Sequence, residues 1–119
     1  MSVFTNMKVT QSESLTPSLL EQSRRLGELL ARLRIARGVK QTDAALRAGL
    51  SRNTVYRIEH GDPGLAIGQV LRYLDAIAPG ASLESLYAEK DPALAALTAR
   101  ERKSRVREMS AAERDELDF

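Results

Sequence analysis

The chain contains no cysteine and no tryptophan, and aromatic residues make up only 4% of it. Without cysteine there is neither a disulfide framework nor a thiolate metal site. With so few aromatics, the core of a 119-residue chain that is 43% hydrophobic has to be built from leucine and alanine, as in small helical bundles. Histidine occurs once, at His60, which leaves no imidazole pair for a metal. No nucleophile–base pair, metal-spaced cluster or phosphate loop is present, so neither an enzyme nor a cofactor is expected. No apolar run approaches the ~18 residues that a membrane-spanning helix needs. The first residues lack a basic segment followed by an apolar one, so a secretory signal is not expected and a cytoplasmic location is.

Charge is present but unevenly placed. The net charge of +2 hides a division: residues 1–61 carry ten Lys/Arg against five Asp/Glu, and residues 62–119 carry eight against eleven. The N-terminal half is therefore at +5 and the C-terminal half at −3. A basic half suits capture of a polyanion.

Turn and cap residues divide the chain into an all-α arrangement. Residues 1–15 are polar and lack a helical period, and read as an N-terminal arm, with a short pairing strand as the alternative. Thr16 and Pro17 make a helix start, a cap followed by proline at the first helical position. Leu26, Leu29, Leu30 and Leu33 then share one face, and Gly38 ends the run. Leu19 and Leu20 lie early in this helix, on a part that could pack on the C-terminal extension or on a second subunit. After Gly61-Asp62-Pro63-Gly64, a strong breaker, Leu65, Ile67, Val70, Leu71, Leu74 and Ile77 define the core face of a fourth helix. Ser82 caps a short fifth one carrying Leu83, Leu86 and Tyr87. The domain is expected over residues 16–89, closed by Lys90-Asp91-Pro92, with a helical extension over residues 90–119. That extension holds five basic residues and one acid between 100 and 107. Ser110-Ala-Ala-Glu113 is a capping-box pattern that opens an acidic end, Asp115-Glu116-Leu117-Asp118. The segment reads as a solvated helix with internal ion pairs, or as a surface for a protein partner or the backbone of a polyanion.

The most informative stretch is Gln41–Gly61. Asp43, Ala44, Ala45, Leu46 and Ala48 suit a helix, and Gly49 can take the left-handed conformation that reverses the chain. Leu50 is an apolar plug for the corner. Ser51 is an N-cap for a following helix, Arg52 to His60, in which Val55 and Ile58 share a face. Ala45 is small where two steeply crossing helices come closest. Two short helices around a tight turn, with a basic and amide-bearing start to the second, present a helix end to the major groove of DNA.

Gly38, Gln41, Ala45, Gly49, Ser51, Thr54, Val55, Ile58, Glu59 and Gly61 together resemble the lambda Cro/cI-type helix-turn-helix of the Xre family of bacterial and phage regulators. The resemblance covers roughly residues 26–86 and implies a five-helix, lambda-repressor-like DNA-binding domain. Lys40 departs from the family's usual cap of Ser, Thr or Asn, and Ala44 stands where leucine is commoner. The resemblance implies base reading by Arg52 and Asn53, with Tyr56 or Arg57 one turn on. Arginine can donate two hydrogen bonds to guanine O6 and N7, and asparagine can pair with adenine N6 and N7. It also implies that Gln41 holds a phosphate and buttresses the reading residues. Lys40, Thr42, Ser51 and Thr54 are lesser phosphate candidates, and for Ser51 and Thr54 local capping is an equal alternative. Arg34 and Glu59 are implied to form an ion pair that locks the third helix to the first. His60 is expected at the exposed end of the third helix, as polar filler or a phosphate contact.

Functionally, the resemblance implies a sequence-specific transcriptional regulator, a repressor that binds a palindromic operator as a homodimer; contacts through the fifth helix and the extension are expected for that dimer. A second reading stays open. Glu59-His-Gly-Asp-Pro-Gly-Leu-Ala-Ile-Gly is similar to regulators paired with kinase-type toxins, which makes the chain an antitoxin whose C-terminal extension binds the toxin.

Overall fold

Threonine before proline decides where the first long helix begins. In the computed structural model, which describes residues 10–117, Thr16 is the N-cap and its Oγ1 accepts from the amide of Leu19 at 3.3 Å. Six helices follow from this point: α1 (Pro17–Ala36), α2 (Gln41–Ala48), α3 (Arg52–Glu59), α4 (Ile67–Ile77), α5 (Leu83–Ala88) and α6 (Pro92–Leu117). The all-α class expected from composition and periodicity is the observed one, and no strand occurs among the described residues. A single helical turn at Gln11–Ser14 precedes α1. Within residues 10–15 it takes the place of the irregular arm or strand expected there, closed by the amides of Glu13 and Ser14 on the carbonyl of Thr10. The rest of that arm lies outside the described residues.

The core is a leucine–alanine core, as the composition requires. Leu29, Leu30 and Leu33 of α1, Ala44 and Ala45 of α2, Val55 and Ile58 of α3, and Val70, Leu74 and Ile77 of α4 are buried together. Each large aliphatic side chain among them contributes roughly 1.5–3 kcal/mol by leaving water. The three alanines on the inner face of α2, Ala44, Ala45 and Ala48, let this helix lie close to both α3 and α4, against which it packs.

Helix α4 departs from the expected pattern. Ile67 and Leu71 are exposed, at 61% and 44%, whereas Tyr73 is fully buried. The buried set Val70, Tyr73, Leu74 and Ile77 is a stripe at helical spacing centred on the aromatic ring, which rotates Ile67 and Leu71 toward solvent. In α5, Leu86 is buried and Tyr87 half-exposed at 48%.

The extension also departs from expectation. Asp91 opens α6 by accepting from the amide of Ala93 at 2.9 Å, so only a short connection separates it from α5. No new helix begins at Ser110. With neither glycine nor proline between Pro92 and Leu117, nothing breaks the backbone ladder, and the helix runs through 26 residues, about 39 Å. It lies antiparallel to the C-terminal half of α1, held by Arg37–Asp91 at 2.8 Å, Arg32–Glu101 at 2.6 Å and buried Leu94. Beyond Glu101 it leaves the domain: every residue from Arg102 to Met109 is exposed. Leu19 near the start of α1 stays exposed as well. The radius of gyration of 18.9 Å exceeds the roughly 13–14 Å of a compact chain of this length, and the projecting helix contributes to the difference.

Candidate nucleic-acid interface

A left-handed glycine makes the corner between α2 and α3. Gly49 adopts φ 66° and ψ 36°, a conformation that a Cβ would penalise. The amide of Leu50 then donates to the carbonyl of Ala45 at 2.9 Å, closing the end of α2. Ser51 caps α3 by accepting from the amide of Thr54 at 3.1 Å, and the two hydroxyls share a further hydrogen bond of 2.8 Å. The local capping alternative for Ser51 and Thr54 is therefore realised, with both side chains engaged in it.

The first turn of α3 faces solvent. Arg52 and Asn53 are exposed, and neither is tied to another side chain among the described residues. Tyr56 is 53% exposed and its ring stacks on His60, with centroids 3.8 Å apart and planes at 24°. The His60 ring nitrogen Nδ1 lies 2.7 Å from the carbonyl of Tyr56. Arg57 is placed differently: its Nε donates to Asp62 at 2.7 Å. Asp62 also accepts from the amide of Gly64 at 2.8 Å. These two bonds, the amide first, hold its carboxyl below the usual range. Arg57 thus braces the loop after α3 and does not extend freely beside Arg52.

The far end of α3 is fastened from three sides. Glu59 is buried; its carboxylate accepts from Arg34 Nε at 2.6 Å and Nη2 at 3.1 Å, from Gln41 Nε2 at 2.8 Å, and from the hydroxyl of Tyr73. Burial is the largest influence on Glu59 and works against its charge, but the bonds from Arg34, Tyr73 and Gln41 outweigh it and hold the carboxyl below the usual range. Burial, then the neighbouring carboxylate, push the Tyr73 phenol well up, so it stays a donor. Arg34 also donates to the carbonyl of Val39 at 2.9 Å. One carboxylate therefore ties together α1, α2, α3 and α4.

The same end of α3 is clamped by backbone. A Cβ on Gly27 would come within 2.6 Å of the Ile58 carbonyl and the Gly61 amide, and one on Gly61 would collide with the Arg24 Cα. The hydroxyl of Ser23 donates to the carbonyl of Gly61 at 2.6 Å. Main chain meets main chain here, with no side chain between.

Two helices around a glycine corner, a solvent-facing first turn and an anchored far end form a unit that presents one helix end rigidly. A family model described as a helix-turn-helix domain matches residues 25–83. Those residues belong to the helix-turn-helix family. No curated protein and no solved structure matches the chain. The match supports a DNA-binding regulator, and α3 is the second helix of the matched motif.

Within this helix-turn-helix domain, Lys40 and Thr42 are exposed on the first turn of α2. Lys40 is the N-cap there without a side-chain bond to the helix, consistent with its departure from the family's capping residue. Gln41 turns its amide nitrogen to Glu59 and so acts as a buttress. Two positioning residues escape a reading of the motif alone. Tyr73 lies three residues after Val70 and four before Ile77, on the apolar stripe, and its place there was a readable signal. Gly27 is a mid-helix glycine, which costs about 1 kcal/mol relative to alanine, and such a cost signals a close backbone approach.

Proposed function

We propose that this chain is a sequence-specific transcriptional regulator of the Cro/cI (Xre) type, a cytoplasmic repressor that binds a palindromic operator as a homodimer. The observation that carries this reading is the contrast between the two ends of α3: Glu59 is buried and bonded to three side chains, while Arg52 and Asn53 stand exposed at the other end. Held in this way, the helix needs no reordering to enter the major groove, where an arginine reads guanine and an asparagine reads adenine. Tyr56, stacked on His60, follows one turn later as an apolar and hydrogen-bonding contact. Lys40, Thr42 and the backbone amides at the N-termini of α2 and α3 supply phosphate contacts that set orientation without reading sequence. One recognition helix reads only a few base pairs, so two copies on half-sites about 34 Å apart supply the missing discrimination. Occupying a promoter in this form excludes polymerase. Selection of bound sites from random duplexes tests the reading. A two-fold symmetric consensus with that spacing supports it, and recovery of unrelated sequences overturns it.

The antitoxin reading, raised by the resemblance of the run from Glu59 to Gly68, has one structural observation in its favour, the exposed stretch of α6 from Arg102 to Met109. A stoichiometric complex with the product of an adjacent reading frame would establish it.

A further inference from the structure

The projecting half of α6 carries a second stripe, separate from the one that holds the helix to the domain. Arg102, Val106, Met109 and Glu113 follow one another at spacings of four, three and four residues, the alternation of a coiled-coil seam. They lie about a quarter turn around the helix from Leu94 and Glu101, which face α1. Val106 and Met109 are 61% and 65% exposed, although both are apolar. Arg102 and Glu113 are exposed, and neither has an ion-pair partner among the described residues. A lone helix in water with this little packing is marginal, so a covered stripe is the more stable state.

We propose that this stripe is covered by the same stripe of a second copy, with the two α6 helices antiparallel about a two-fold axis between positions 107 and 108. The proposal deepens the homodimer reading and rests on it. In that register Val106 faces Met109 of the second copy, and Arg102 faces its Glu113. Symmetry repeats both contacts, giving two apolar layers flanked by two ion pairs. The flanking positions also agree: Lys103 meets Ser110, and Arg105 meets Ala112, so no like charges oppose. The parallel alternative sets Arg102 on Arg102 and Glu113 on Glu113, which repel. The chain's own charges thus select the occupant and its direction. An antiparallel pair is isologous, the symmetry that a two-fold operator requires. The seam from 102 to 113 is about 18 Å long. Such a short contact gives a weak dimer in solution that tightens when both copies sit on one duplex, through effective concentration.

Charge reversal in the full chain tests this. In sedimentation equilibrium, Arg102→Glu and Glu113→Arg should each weaken the dimer about ten-fold or more, because each places like charges across the seam. The double variant Arg102→Glu/Glu113→Arg should return it to within about three-fold of the parent. Since the protein has no cysteine, direction can be read by disulfide formation. A mixture of Val106→Cys and Met109→Cys proteins should cross-link to each other faster than either does to itself. A chain that is monomeric at all accessible concentrations, a dimer indifferent to all three charge variants, or faster like-with-like cross-linking overturns the pairing. Binding of the same proteins to a random-sequence duplex reports on the DNA-binding surface separately. A dimer that obeys the charge swap yet ignores duplex supports the pairing and sinks the DNA reading, whereas duplex binding by a chain indifferent to the swap does the reverse.

Discussion

At the two ends of α3, exposed Arg52 and buried Glu59 do different work, and their substitutions separate. Arg52→Ala removes a side chain that no neighbour holds, so stability should be unchanged. Affinity for the cognate site should fall by about 1–3 kcal/mol, with relaxed preference at one base pair, as a binding assay on duplexes varied at that position would read. Glu59→Ala leaves Arg34 and Tyr73 facing a buried gap, and breaking such a pair costs about 3–5 kcal/mol. Urea unfolding should show that loss. The pH dependence follows from the same carboxylate. Its pKa is lower in the folded state than the ordinary 4.5, so the stabilisation is complete above that ordinary value and is lost as pH falls through the folded one. Unfolding measured between pH 7 and pH 3 should show the parent losing stability in the acid range, and Glu59→Gln losing less of it. Lys40→Ala is a third kind of change. It should weaken binding to all sequences alike and reduce the salt dependence by about one ion, seen in titrations at several salt concentrations.

At the scale of the helix, the aim of α3 depends on where main chains touch. Gly27→Ala inserts a methyl where the Ile58 carbonyl and Gly61 amide already stand 2.6 Å from the would-be Cβ. Overpacking of this kind costs about 1–3 kcal/mol. The expected outcome is a folded but destabilised protein with weakened sequence preference, read by thermal unfolding beside a competition assay with specific and random duplexes. The elements were largely legible from punctuation. Thr16-Pro17, Gly38, Gly49-Leu50-Ser51 and Ser82 are turn and cap chemistry, local in sequence, and they act locally in the fold. Tertiary effects were harder to see. Ile67 and Leu71 have the hydrophobicity of core residues, but burial of the Tyr73 ring turns them outward. Ser110 to Glu113 has the pattern of a helix start, yet a pattern without a breaker before it cannot interrupt a ladder already running. The surface position of Arg52 and Asn53 could be read from the motif. The diversion of Arg57 to Asp62 could not, because it depends on how the Gly61–Gly64 loop folds back.

Across the whole molecule, α1 is the member that everything else references. Its middle touches Gly61 through Gly27, and its C-terminal end holds Glu59 through Arg34 and α6 through Arg32 and the capping residue Arg37. Helix α3 and the projecting helix are thus mounted on one continuous rod, with no hinge between their attachment points. On the proposed dimer this makes the pair of reading heads a gauge of fixed span. Each base pair added between half-sites turns one of them by about 35° around the duplex axis, and a rigid mount cannot follow that rotation. Operators lengthened one base pair at a time should therefore lose affinity abruptly at the first insertion, a pattern that gel-shift titration would distinguish from the gradual decline of flexibly tethered heads.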